Sequence, residues 1–328
     1  MPLKAPKFWQ KENTFLGKLL SPLSRIYAWG VRRRVKKAQP YEARIPVICI
    51  GNLVMGGVGK TPLAVSVAEY FKMNGMKPFF LTRGYGGGLS NILADPDKHT
   101  AVQTGDEALL LAQVAPTIVD ADRARGAKKA EAMGADVIVM DDGFQNHQLH
   151  KTLSLVVFDG RFGFGNGKVF PAGPLREPLE DGLNRANAFV VVGKDVSGVK
   201  EWIDGKFSTL PFIGMHIEQD KEEIDSLTGK KVFAFAGIGY PEKFFDMLKE
   251  NGCDIVKARA FADHHPYNDL EIAEMIAEAE ALDAVLVTTS KDGVRIAPRF
   301  RKRIRIVKAY MVWDTPDTMC ALLEALHR

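Results

Sequence analysis

The strongest chemical signal in the chain is Gly56-Gly57-Val58-Gly59-Lys60-Thr61, which stands between the apolar run ICIGN and the helical stretch LAVSVAEYF. Strand, glycine loop, Lys-Thr and helix, in that order, are the sequence context of a nucleotide phosphate loop. The chemistry needs those residue types. Glycines let successive backbone N–H groups curl around phosphate oxygens, and the helix N-terminus adds its dipole. Lys60 would reach the β- and γ-phosphates of ATP, the Thr61 hydroxyl would ligate Mg²⁺, and Pro62 follows in the first helical turn. The strict pattern GxxxxGK[ST] would place its first glycine at position 54, where this chain has Val54.

A phosphate loop needs an acid at the end of a neighbouring strand. DVIVMDD supplies Asp141 and Asp142 after four apolar residues, and one of them would hold Mg²⁺ directly or through water. A strand-end Asp pair can be mere turn chemistry, but GFQNHQLH, which follows, is unusually polar for a simple turn. Three more polar clusters stand at strand or helix ends. Thr82-Arg83-Gly84-Tyr85-Gly86 follows a strand, Gly105-Asp106-Glu107 opens a helix, and Asp263-His264-His265-Pro266-Tyr267 precedes another. Asp106 could serve only as a helix cap. The adjacent histidines could suggest a metal, but no companion Cys/His spacing supports one, and a base or orienting role in a cleft fits better.

The elements that must position these groups alternate. IPVICI (45–50), PFFLT (78–82), TIVD (117–120), DVIVMDD (136–142), LSLVVFD (153–159) and AFVVVG (188–193) read as buried strands, the earlier ones separated by helices. That order predicts a phosphate-loop α/β fold with a doubly wound, mostly parallel sheet. A second series follows: a strand over 231–239, a helix from Pro241 to Asn251, a strand near 254–260, a helix near 269–280 and a strand over 284–290. It predicts a smaller α/β domain, with 211–217 and 304–312 pairing as a two-stranded connector. The expected organisation is an N-terminal basic segment (1–44), a nucleotide-binding domain (45–210), the smaller domain with its connector (211–312) and a C-terminal helix (313–328) returning to the first domain.

Composition narrows the class. At 46% hydrophobic and 26% charged residues, the chain is composed like an ordinary globular protein. Cys49, Cys253 and Cys320 are odd in number and far apart, which argues against a disulfide framework or a zinc site. With no apolar run of 18 residues and no cleavable secretion signal, a cytoplasmic protein is expected. The net charge of +4 hides an asymmetry: residues 1–44 carry eleven Lys/Arg against two Glu, leaving the rest of the chain at −5. Within that segment Phe8, Phe15, Leu16, Leu19, Leu20, Leu23, Ile26 and Tyr27 recur at helical spacing, ahead of Arg32, Arg33, Arg34, Lys36 and Lys37. Ser21-Pro22 is expected to start a second helix, with Ser21 as its cap. Such a helix either packs on the domain or lies in a membrane interface with its cations near lipid phosphates.

With these segments assembled, the chain resembles the tetraacyldisaccharide 4′-kinase family of lipid A biosynthesis. The resemblance is carried by APKFWQ, LLSPLSRIY, GNLVMGGVGKTP, TRGYGG, TGDEALLLA, MDDGFQNHQL, PAGPLREP, FADHHPY and TTSKDGVR, in family order over nearly the whole chain. It implies transfer of the ATP γ-phosphate to the 4′-hydroxyl of a tetraacylated disaccharide 1-phosphate, giving lipid IVA. It also implies peripheral attachment to the anionic cytoplasmic face of the inner membrane, with no nucleic acid and no stable protein partner. By motif, Gly56 to Pro62 bind phosphate, Thr61, Asp141, Asp142 and Glu177 are similar to the family's metal-site residues, and Asp106 resembles the catalytic base. A histidine of the DHH motif, His264 or His265, would pair with Asp106, and Tyr85 and Arg123 would lie near substrate or phosphate. The family loop also lacks the first glycine, so Val54 conforms, while Thr82 stands where Ser is expected.

Two rival readings compete. Partitioning or septum-site ATPases carry KGGVGKT, but this chain has Met55 in place of their signature lysine. A nucleic-acid-binding ATPase would show a more uniformly basic face than the leucine- and aromatic-rich N-terminus does.

Overall fold

The computed structural model of the protein describes residues 6–207 and 209–327. Its strands are β1 (Val47–Gly51), β2 (Pro78–Thr82), β3 (Ile92–Ala94), β4 (Thr117–Val119), β5 (Val137–Asp141), β6 (Leu153–Asp159), β7 (Ala188–Val192), β8 (Phe212–Gln219), β9 (Lys231–Ala236), β10 (Asp254–Ala260), β11 (Val285–Thr289), β12 (Arg305–Val307) and β13 (Ala309–Trp313). Nine of them form one sheet in the order β13-β8-β7-β6-β1-β5-β2-β4-β3, and four form a second in the order β10-β9-β11-β12. The large sheet is parallel except at its two edges, where β3 pairs antiparallel with β4 and β13 with β8. The small sheet is parallel throughout. This is the α/β architecture the alternation of strands and helices predicts.

Side chains on β1 and β5 leave alternately from the two faces of the sheet, as the pleat requires. Ile48, Ile50, Val137 and Val139 join the core cluster that contains Leu63, Val67 and Phe71 of the helix Lys60–Met73. Val47, Cys49, Ile138 and Met140 join a second cluster on the opposite face. Both strands are thus buried on both sides, which explains their continuous apolar sequence. The C-terminal helix Pro316–Glu324 lays Met319 and Leu323 into the first cluster.

Two details differ from the sequence expectation. The pairing of the connector is displaced, with Met215–Gln219 opposite Ala309–Trp313, because Arg305–Val307 is already taken by β11 of the small sheet. Ser21 is not a helix cap. The helix α1 (Phe15–Leu19) is capped by Thr14 and runs through Leu20, in helical conformation, straight into α2 (Ser21–Lys37). No break is left for Ser21 to cap, and its hydroxyl donates back to the Gly17 carbonyl at 2.7 Å.

One face of α2 is anchored. Ser24 is buried, donates to the Val169 carbonyl at 2.7 Å and accepts from the Ala172 N–H, while Tyr27 packs edge-on against Phe170. Away from it, α1 presents Phe15, Leu16 and Leu19 and α2 presents Leu23, Ile26 and Trp29 to the outside, Phe15 with 79% of its surface free. Among the described residues no helix is long and apolar enough to cross a membrane.

Candidate active site

β1 delivers the chain into the loop at the centre of the large sheet, and α3 (Lys60–Met73) leaves it. Gly59 caps that helix at φ +84, a left-handed conformation that glycine adopts without strain. A Cβ there would also crowd Met311 at 2.9 Å. Asn52 braces the loop from within, donating to the Val54 carbonyl at 2.5 Å and accepting from Lys60 Nζ at 3.3 Å. From outside, Met55 N–H donates to the Pro174 carbonyl and Arg176 N–H to the Leu53 carbonyl. Gly56 and Gly57 stay exposed, with nothing in the space a side chain would fill.

β5 is the neighbour of β1, so its terminal acids fall beside the loop. Asp141 is almost wholly buried and accepts the Thr61 hydroxyl at 2.9 Å through Oδ2, while its Oδ1 has no partner among the described residues. Burial, reinforced by the charge of Glu107, pushes the Asp141 carboxyl up to about 7 against the pull of Lys60 and Thr61. A buried carboxylate oxygen without a donor, next to a hydroxyl oxygen, is the donor set a hard divalent cation takes. Thr61 and Asp141 therefore fit Mg²⁺. Asp142 sits at φ +50 and faces Lys60 Nζ at 3.7 Å and Arg176 Nη1 at 2.8 Å.

Glu177, the remaining acid of the expected metal set, is held by protein side chains. One oxygen accepts from Arg185 at 2.7 Å and the other from Gln145 at 3.1 Å, and Gln145 in turn accepts from Arg176. Among the described residues no three His, Cys, Asp or Glu side chains converge as a ready metal cluster. Arg123 is buried, with Nη1 on the Asp120 carbonyl and Nε unpartnered among the described residues. Burial lowers its guanidinium to about 10, so it stays charged, and Asp141 and Asp142 are among the charges that act on it.

The second half of the site joins the two sheets. Asp106 opens the helix Asp106–Ala112, and Gly105 before it lies so close to Tyr85 that a Cβ would meet the Tyr85 carbonyl oxygen at 2.5 Å. The TRGYGG and GDE segments are thus pressed together, with the Tyr85 side chain exposed above. His264 Nδ1 lies 2.8 Å from Asp106 Oδ2, which settles the pairing between the two histidines. His265 turns the other way, stacking on Phe261 and contacting Glu271 at 3.2 Å. His264 holds φ +59, an uncommon conformation of the kind found where function over-determines the backbone.

Arg295 completes this half and was not singled out by the sequence. Its Nε and Nη2 reach Asp106 Oδ2 at 3.1 and 2.5 Å, and its Nη1 reaches the Gly237 carbonyl at 2.7 Å and Asp292 Oδ1 at 3.1 Å. The signal was present in TTSKDGVR, where Asp292 and Arg295 stand three apart. Burial pushes the Asp106 carboxyl up, but the hydrogen bonds from His264 and Arg295 outweigh it and hold it well below the usual carboxylate range. The bond to Asp106 raises the His264 imidazole, with burial and the Arg295 charge opposing. The two halves adjoin, since Glu107, whose charge acts on Asp141, follows Asp106 directly.

Loop, Lys-Thr pair and strand-end acids on a doubly wound sheet define a phosphate-loop nucleotide-binding protein of the α/β class. The sequence model of the family described as tetraacyldisaccharide-1-P 4′-kinase matches residues 16–327. A tetraacyldisaccharide 4′-kinase of Paramagnetospirillum magneticum is 47% identical, covering 99% of both chains, and one of Rhodospirillum centenum is 44% identical, covering 99% of this chain and 97% of its own. The chain belongs to the tetraacyldisaccharide 4′-kinase family. In fold it matches the crystal structure of LpxK from Aquifex aeolicus in complex with ATP, with TM-score 0.78, 24% identity, and coverage of 95% of this chain and 99% of the other.

Proposed function

We propose that this chain transfers the γ-phosphate of ATP to the 4′-hydroxyl of a tetraacyldisaccharide 1-phosphate, working from the cytoplasmic face of a bacterial inner membrane. The observation that carries the chemistry is the Asp106–His264 pair, whose neighbour Glu107 acts on Asp141 beside the phosphate loop. Asp106 was expected as the base, but the geometry favours His264. The carboxylate already accepts three N–H groups on Oδ2 and the Glu107 N–H on Oδ1. A carboxylate so saturated has little basicity left. An ionised Asp106 can only accept, so His264 carries its proton on Nδ1 and leaves Nε2 as the acceptor. Asp263 Oδ1 lies 3.8 Å from that nitrogen.

In this reading His264 Nε2 takes the proton of the 4′-hydroxyl as its oxygen bonds to the γ-phosphorus. The bond from that phosphorus to the ADP oxygen breaks, and ADP leaves with the electron pair. Lys60 and the loop N–H groups hold the transferring phosphate, which asks mainly for positioning and charge neutralisation. Mg²⁺, held by Thr61 and Asp141 with Asp142 beside them, would supply further charge neutralisation when bound. The exposed apolar face of α1 and α2, with Arg25, Arg33, Arg34, Lys36 and Lys37 exposed along the helix, supports seating on an anionic membrane. The acyl chains then remain in lipid while the sugar reaches His264.

The test is incubation of the purified protein with γ-labelled ATP and lipid A disaccharide 1-phosphate in detergent. Label should appear in the lipid. Release of all label as inorganic phosphate would favour a membrane ATPase switch of the partitioning type.

A further inference from the structure

Arg295 is 3% exposed in its side chain and lies where the helix Asp106–Ala112 of the large-sheet domain meets the small domain. A buried guanidinium is costly unless it is paired and hydrogen-bonded. Here the same fork touches Asp106 on one side and the Gly237 carbonyl and Asp292 on the other. Asp292 is itself fixed by three neutral donors, the Gly237 N–H, the Tyr267 hydroxyl and the Thr289 hydroxyl. The small domain has built a rigid holder for one cation and aimed it at Asp106.

A buried carboxylate demands a positive partner, and two candidates surround Asp106 Oδ2. Arg295 Nη2 and His264 Nδ1 are only 3.4 Å apart, and both point their N–H at that oxygen. Were His264 the sole partner, the carboxylate's charge would act on it unopposed and draw it toward the imidazolium, which has no lone pair for a hydroxyl proton. We propose that Arg295 is a positioning residue that supplies the cation Asp106 requires, so that His264 can stay a neutral imidazole with Nε2 free. The charged groups facing His264 are Asp106, Asp263 and Arg295, and Arg295 alone among them opposes its protonation. This inference rests on the assignment of His264 as base.

The experiment follows the His264 ring by NMR in the full-length protein carrying ring-labelled histidine, its signal assigned by its loss in His264→Gln. Arg295→Gln keeps a donor for the Gly237 carbonyl but removes the charge. The His264 midpoint should rise, and the acidic limb of kcat should move to higher pH. Near pH 7 the turnover should fall on the order of tenfold and recover as pH is raised, with KM for ATP little changed. Arg295→Lys, which keeps a cation, should restore the midpoint; it also serves if the glutamine variant does not fold. A midpoint identical to wild type in Arg295→Gln, or a loss of turnover equal at every pH, would overturn the proposal. Survival of the acidic limb in His264→Gln would instead remove the base assignment, while the NMR midpoint still judges Arg295.

Discussion

On the phosphate side of the site, Asp141 Oδ1 and Arg123 Nε are buried without partners among the described residues, and Gly56 and Gly57 are exposed. On the acceptor side, Asp106 accepts four hydrogen bonds and both Asp292 oxygens are engaged. In the proposed reaction, one side is left for ligands to complete and the other is completed by the protein. The difference follows from what each must do. Phosphates and a divalent cation bring their own charge, so groups that await them must stay unpaired and accept the cost of burial. A proton acceptor brings no such partner with it, so its protonation has to be set by fixed neighbours before the substrate arrives.

The largest effect should come from emptying the ligand-completed side. In the proposed reaction Lys60 is the cation that opposes the transferring phosphate, and in the structure its Nζ lies 3.3 Å from Asn52 and 3.7 Å from Asp142. Lys60→Ala should lower kcat on the order of 10²–10³-fold, with the melting temperature near wild type. Turnover within a few-fold of wild type, measured by label transfer to lipid, would mean that the loop is not the phosphate site.

A sharper test asks whether the phosphate side truly carries an energetic cost. The folded-state pKa of Asp141 lies above its ordinary 3.8, at about 7. A carboxyl raised on folding contributes stability below its unfolded pKa and loses it as pH climbs through the folded one. The nucleotide-free protein should therefore lose stability from this group between about pH 4 and 7. Asp141→Asn removes that loss, and should make the nucleotide-free protein more stable at about pH 8 by roughly 1–2 kcal/mol while abolishing most activity. Urea unfolding of both proteins, with and without Mg²⁺ and ATP, reads it directly. Destabilisation of the variant at that pH would show that Asp141 is an ordinary structural acid.

How much of this was legible in the sequence differs between the two sides in the same way. The phosphate side is local: loop, Lys60 and Thr61 are contiguous, and Asp141 ends the adjoining strand, so a linear pattern carries them. The acceptor side joins residues 158 and 189 positions apart, His264 and Arg295 on Asp106. Sequence could name the DHH and GDE motifs but could not choose between His264 and His265, because that depends on the left-handed turn at His264. Glu177 shows the converse. Its motif suggested a metal acid, but that Arg185 and Gln145 hold its two oxygens could not be read from PAGPLREP. Short edge strands were missed for a related reason. Ile92–Ala94 is three residues long, too brief for any periodicity to show.

The smallest expected effect on turnover in detergent lies farthest from the site, in the N-terminal helices. Leu19 and Leu23 are 61% and 53% exposed, whereas Ser24 and Val31 anchor the other face. Replacing both leucines by glutamate removes no buried contact, so the double variant should melt within a degree or two of wild type and turn over soluble ATP and detergent-dispersed lipid normally. Its binding to anionic vesicles should drop sharply, because two apolar side chains are lost and two negative charges are added next to Arg25 and the cations beyond it. Each cation near an anionic surface contributes roughly 1 kcal/mol, and salt weakens that share, while burial of apolar side chains is indifferent to salt. High salt should thus release wild type only in part, and detergent should be needed for the rest. The readout is co-sedimentation with vesicles, with and without salt, beside a thermal melt. A variant that unfolds yet still pellets would mean that this apolar face packs against protein, and the contrast between an anchored and a free face of α2 would fall with it.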